Sequence, residues 1–145
     1  MSYELQADWI VLPEVKGVED TLTTAAGDIA TYRLPFDAYV WGIVARVTTD
    51  VAGTSTLPIV AVDVADNDAA ANRVEVARIA FTLDDDNGDM RVGWCSGGPT
   101  LVDVSAGRVI VLERVQAAVG TAAGVAALYI LCKLAGRAAE LYKDV

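Results

Sequence analysis

The sequence predicts an all-β fold, an antiparallel sandwich or barrel, and three observations carry that expectation. Runs of β-branched and aromatic residues recur along the chain, clusters of Gly, Asp, Asn and Thr separate them, and no long helical period stands between them. The 145 residues are 54% hydrophobic and 21% charged, far from the polar, highly charged composition of a disordered chain. They suit a single domain that buries roughly 70% of its unfolded surface.

The first 24 residues hold one apolar cluster, Trp9-Ile10-Val11-Leu12-Pro13, inside polar and acidic sequence. Pro13 disfavours helix on both sides. Two readings stay open: the first strand of the domain, or an extended N-terminal arm that docks on a neighbouring subunit. Large apolar side chains at a polar end bury in something, so Trp9, Ile10 and Leu12 are the expected partner-binding anchors.

Residues 25–135 are the expected sandwich domain, with runs at Ile29 to Phe36, Tyr39 to Thr49, Leu57 to Val64, Val74 to Leu83, Thr100 to Val104, Arg108 to Ala117 and Val125 to Leu134. In the second run strict alternation puts Tyr39, Trp41, Ile43, Ala45 and Val47 on one face and Val40, Gly42, Val44 and Arg46 on the other. Asp86-Asn87-Gly88-Asp89 carries an Asn-Gly pair suited to a hairpin turn. Ser96-Gly97-Gly98-Pro99 reads as a crossing loop. Residues 136–145 follow a Gly stop with good helix formers, which gives a short C-terminal helix or a frayed tail; so short a helix persists only if it packs.

A faint internal similarity links Ala26-Gly27-Asp28-Ile29 with Ala106-Gly107-Arg108-Val109, each followed by an Arg and then by a Gly-Thr loop, Gly53-Thr54 and Gly120-Thr121. Two related Greek-key halves would have this layout, and so would chance in an Ala-, Val- and Gly-rich chain.

Composition excludes several chemistries. The chain has no histidine, which removes the commonest general base, the commonest transition-metal ligand and every nucleophile–histidine pair. The acids gather in loops, Asp63, Asp66 and Asp68, then Asp84, Asp85, Asp86 and Asp89, where a solvated turn explains them. An EF-hand register on Gly88 puts Leu83 at the first ligand position and Trp94 at the twelfth, so that template fails; a looser calcium site at 84–89 stays open. Gly97-Gly98 lacks the ending of a phosphate loop. The expectation is a protein that is not an enzyme and has no cofactor.

Three lysines and eight arginines against twenty carboxylates, a net charge of -9, leave too little positive charge to hold nucleic acid. Residues 117–135 are nearly all apolar and long enough for a membrane helix. Lys133, Gly120, Thr121 and Gly124 break the pattern, and a buried strand is favoured over a membrane span. Cys95 and Cys132 fit neither a disulfide scaffold nor a metal spacing, and both are expected as free thiols. No secretory signal is read at the N-terminus, which predicts synthesis in a reducing cytoplasm. The aromatics Trp9, Trp41 and Trp94, with Tyr3, Tyr32, Tyr39, Tyr129 and Tyr142, could line a sugar-binding face, but most are spaced as core or edge residues of strands, and that reading is favoured.

The run Ala106-Gly107-Arg108-Val109-Ile110-Val111-Leu112-Glu113-Arg114-Val115 is followed by Gly120-Thr121-Ala122-Ala123-Gly124 and Ala127-Leu128-Tyr129-Ile130-Leu131. With these residues the small, acidic, His-free β domain resembles the decoration, cement or head-fibre base proteins of tailed bacteriophages, to whose closing hairpin the segment is similar. The resemblance spans residues 25–135 and brings no family site with it. It implies a jelly-roll-like sandwich, a homo-oligomer with a trimer favoured, and the major capsid protein as partner on the outer surface of a head. A carbohydrate- or receptor-binding module and a tail or neck component are the competing expectations.

Overall fold

The computed structural model describes residues 9–135; the C-terminal segment 136–145 and residues 1–8 of the expected arm lie outside the described residues. Ten strands form in chain order: β1 (Trp9–Leu12), β2 (Val18–Thr21), β3 (Gly27–Tyr32), β4 (Ala38–Ala52), β5 (Ile59–Ala65), β6 (Val74–Ala80), β7 (Met90–Trp94), β8 (Thr100–Val102), β9 (Val109–Gln116) and β10 (Ala123–Leu134), with one 3-10 turn at Val104–Ala106. They make two antiparallel sheets packed face to face, an all-β sandwich. The first sheet runs β1-β10-β4-β7, with β2 also on β10 and β8 also on β4; the second runs β3-β9-β5-β6.

β1 and β2 lie end to end along β10, pairing with residues 130–133 and 125–128 in turn. β7 and β8 lie end to end along β4 in the same way. Each sheet is therefore four strand lines wide. Successive lines alternate between the sheets, apart from the β5–β6 neighbours.

The core between the sheets follows from period-2 alternation. Val60, Val62 and Val64 of β5 and Ile110 and Leu112 of β9 face Leu128, Ile130 and Cys132 of β10, all nearly or fully buried. Each fully buried aliphatic side chain contributes about 1.5–3 kcal/mol by leaving water. Phe81 and Leu22, both buried, lie just beyond strands β6 and β2; the N–H of Phe81 donates to the Pro58 carbonyl and that of Leu22 to the Gly124 carbonyl.

Strict alternation fails in β4. Leu131 pairs with Gly42 but Cys132 pairs with Val40, so Trp41 is an extra residue in the ladder. Such a bulge shifts the phase of the pleat by one. Ala38 and Val40 on one side of it and Ile43, Ala45 and Val47 on the other are all buried in the core, while Tyr39, Val44 and Arg46 are not. The face predicted as Tyr39, Trp41, Ile43, Ala45 and Val47 is thereby divided between the two sides of the sheet.

The two turns exchange the roles the sequence suggests. Residues 81–89 carry the chain from β6 in the second sheet to β7 in the first, so the Asn87-Gly88 segment belongs to a crossing. It folds back on β4, where the Gly88 N–H donates to the Val47 carbonyl and the Val47 N–H to the Asp89 carbonyl. Ser96-Gly97-Gly98-Pro99 is instead an excursion within the β7–β8 line of a single sheet. The crossing works because the sheets nearly touch there: a Cβ on Gly93 would lie 2.1 Å from the Arg78 carbonyl oxygen, so only glycine fits. The two Gly-Thr loops meet, the Thr54 N–H donating to the Gly120 carbonyl at 2.8 Å.

Candidate interaction surface

The two outer faces of the sandwich differ in chemistry. On the second sheet, Asp28, Glu113, Ala61 and Arg78 line up across β3, β9, β5 and β6. Arg73 reaches three carboxylates at once, Asp28 at 2.8 Å, Asp63 at 2.7 Å and Glu113 at 2.9 Å. Its guanidinium is held above its ordinary range, first by the hydrogen bond to Asp28 and also by Asp63. Glu113 is pushed up by burial and by repulsion from Asp63. The rest of this face is closed by a small cluster of Ala65, Val109 and Val111 under Ala70. It is an ionic surface whose charges are largely paired with one another.

The first sheet presents the opposite. Its outer rows read Trp9, Lys133, Tyr39, Leu101; then Val11, Leu131, Gly42, Trp94; then Tyr129, Val44, Val92; then Glu19, Ala127, Arg46, Met90. Trp94 is 62% exposed, Met90 57%, Val92 46% and Trp9 43%, with Val11, Tyr39 and Leu101 also open to solvent. Trp41 joins them through its bulge, its ring 5.8 Å from that of Trp9, and the Lys133 ammonium lies 5.7 Å from the Trp9 ring centre, within cation–π range. The Trp94 ring covers the backbone of Gly42, where a Cβ would meet it at 3.3 Å. Of all these side chains only Lys133, Arg46 and Glu19 carry charge.

The three expected anchors do not share a face. Along β1, Trp9 and Val11 are exposed, whereas Ile10 and Leu12 turn inward and pack against the core. Residues 9–12 and 18–21 are strands of the chain's own first sheet. Beside them, a cleft of about 540 Å³ opens between β1 and the segment Arg33 to Phe36, with Leu34, Phe36 and Leu134 on its walls.

Sequence reasoning missed β7, and with it Met90 and Val92; Trp94 was singled out only as one of the aromatics. Their spacing of two was the available signal, obscured by Arg91 and Gly93 between them. The core-or-edge reading of the aromatics holds for Trp9 and Trp94 as edge positions, since β1 and β7 are the edge strands of the first sheet, and both rings are exposed on its outer face.

The acidic loop is engaged with its own surroundings. The Asp85 carboxylate accepts from the Thr82 N–H and from Arg91, Asp89 accepts from the Asp86 N–H, and Asp50 accepts from the Asn87 N–H. Among the described residues no group of three or more His, Cys, Asp or Glu is placed to hold a metal ion, and no helix is long and apolar enough to cross a membrane.

Both cysteines are free and buried. Cys95 donates to the Val40 carbonyl at 3.2 Å. Burial pushes the Cys132 thiol up to about 12 and raises Cys95 as well, so neither supplies thiolate at neutral pH. We expect no alkylation of either thiol by iodoacetamide in the native state and alkylation of both after unfolding in guanidinium, read by mass spectrometry.

The fold and its two unlike outer faces define a class, an all-β sandwich with one ionic and one largely apolar sheet face. No family model matches the chain, and no curated protein matches it.

Proposed function

We propose that the protein is a non-catalytic virion component that binds the outside of a tailed-phage head as an oligomer and stabilises contacts between subunits of the major capsid protein. The observation that carries this reading is the aliphatic and aromatic outer face of the first sheet, on a chain of net charge -9. Contiguous apolar faces of this kind mark sites of protein association. The aliphatic residues Val11, Val92 and Leu101 standing among the rings fit a protein surface. The strand order, β1/β2-β10-β4-β7/β8 against β3-β9-β5-β6, supports a jelly roll, a fold used by capsid proteins. The acidic balance suits a location away from packaged nucleic acid.

The mechanism requires no reaction. A protein that binds assembled subunits and not separated ones stabilises the assembly by mass action, and repetition over a shell multiplies modest contacts. Trp9, exposed at the edge, is a contact in this reading; Ile10 and Leu12 hold its strand in place.

The test is to quantify the protein in purified particles and to compare the rupture temperature of heads assembled with and without it. Many copies per particle and a lower rupture temperature on omission are expected. Absence from purified particles overturns the reading, and presence only in detached tails moves it to a tail or neck component. A carbohydrate-binding module is the second reading, favoured by the rings of Trp9, Trp41, Tyr39 and Trp94 on one face; glycan retention lost in Trp94→Ala would establish it in place of the first.

A further inference from the structure

We infer that the outer face of the first sheet is the surface through which copies of this chain associate, with the sheet face of a second copy as its occupant. This rests on the oligomer part of the reading above and deepens it: the apolar face is assigned to contact between copies, capsid contact then falls to other surfaces of the assembled oligomer, and the two are tested separately.

The amount of exposed surface is the first argument. Seven large apolar side chains, Trp9, Val11, Tyr39, Met90, Val92, Trp94 and Leu101, stand partly open on one face. With side-chain areas of roughly 150–250 Å² for the rings and less for the aliphatics, their open fractions amount to about 600 Å². Adding the backbone and the polar rim brings this close to the ~800 Å² per partner of a standard stable interface. Tyr, Trp and Met are the residues enriched in such interfaces.

Charge selects the partner. The chain has twenty carboxylates, and like-charged copies repel. Yet the pairing rows of this face from Trp9 to Leu101, from Val11 to Trp94 and from Tyr129 to Val92 contain no carboxylate. In the last row Glu19 stands with Arg46, beside Ala127 and Met90. Two copies therefore meet here over rows free of carboxylates, and the one row that holds a carboxylate also holds a cation.

Geometry completes the case. A sheet face of regular rows packs on another sheet face at about 10 Å, with interdigitating side chains, as in the interior of a sandwich. The second sheet's outer face is less suited to this, because it is occupied by the ion pairs of Arg73 with Asp28, Asp63 and Glu113 and of Arg78 with Glu75, whose burial would cost desolvation.

The test is the mass of the full chain in solution by sedimentation and light scattering. Wild type is expected at a multiple of the 15.2 kDa chain mass. Val92→Glu and, separately, Met90→Glu are expected at the mass of one chain with unchanged strand signal by circular dichroism; Val74→Glu, an equally exposed position on β6, is expected to remain a multimer. A monomeric wild type overturns the inference, whether or not it binds glycan or capsid. So does a folded Val92→Glu or Met90→Glu protein that keeps the wild-type mass. Dilution of wild type supplies an independent readout: a red shift of tryptophan emission as the mass falls supports the inference, and an unchanged spectrum as the mass falls overturns it, since Trp94 would then lie outside the interface. A multimer missing from particles would sink the virion reading and leave this one standing.

Discussion

Replacing Arg114 with Ala is expected to destabilise the protein by about 3–5 kcal/mol, the range for breaking one side of a buried ion pair. Arg114 lies on β9 in the second sheet and Asp20 on β2 in the first, and both are nearly inaccessible. The guanidinium donates to Asp20 through Nε at 3.1 Å and Nη2 at 2.7 Å, and through Nη1 to the Ala25 carbonyl at 2.7 Å. Truncation leaves a carboxylate and a carbonyl without partners inside the sandwich. Burial pushes the Asp20 carboxyl up, more strongly than the Arg114 charge pulls it down, so the pair itself adds little net stability. A carboxyl whose folded pKa is raised contributes stability that is present at low pH and lost as pH rises through that folded pKa. The Arg114→Ala deficit, measured by urea unfolding, should therefore shrink as pH falls below neutral. The double substitution Asp20→Leu with Arg114→Met should recover most of the loss, because apolar replacement of both partners removes the buried charge altogether. A single variant as stable as wild type would show that water reaches the pair.

The β-sandwich was legible because its central strands are rich in Val, Ile and Leu that stand two apart; β5, β9 and β10 fall within two or three residues of the runs read from sequence. What escaped was set by tertiary context. No local signal marks Trp41 as an extra residue, since a bulge is defined by its partner strand, and one added residue reversed the assignment of half of β4. β7 was hidden because Gly93 is there for the Arg78 backbone on another sheet, and a Gly in a short run weakens the strand signal. The same two gaps concealed the open face, whose residues come from β1, β4, β7, β8 and β10 and assemble only when the strand order is known. Asp20 and Arg114 are 94 residues apart, and nothing in either neighbourhood announces the other.

The other large effect expected is that of Arg73→Ala, a loss of about 2–4 kcal/mol near neutral pH, somewhat below that of a fully buried pair because the guanidinium is partly exposed. Among the described residues Arg73 is the one cation touching Asp28, Asp63 and Glu113 together, and the Asp63 side chain is only 3% exposed. Its second oxygen, Oδ1, has no partner even in the intact protein, so removal of Arg73 leaves the whole carboxylate unsatisfied among like charges. Repulsion raises carboxyl pKa values, and Glu113 is raised already by burial and by Asp63. Groups raised in the folded state gain stability as pH falls toward their unfolded value, so the deficit at neutral pH should narrow in mild acid, where protonation relieves the cluster. Arg33→Ala is the contrasting case: its pair with Asp68 is largely solvent-exposed, and exposed pairs contribute little. Urea unfolding at neutral and mildly acidic pH should place Arg33→Ala beside wild type at both. A deficit for Arg73→Ala that stays constant with pH would mean that lost packing of its side chain, and not repulsion among the three carboxylates, sets the effect.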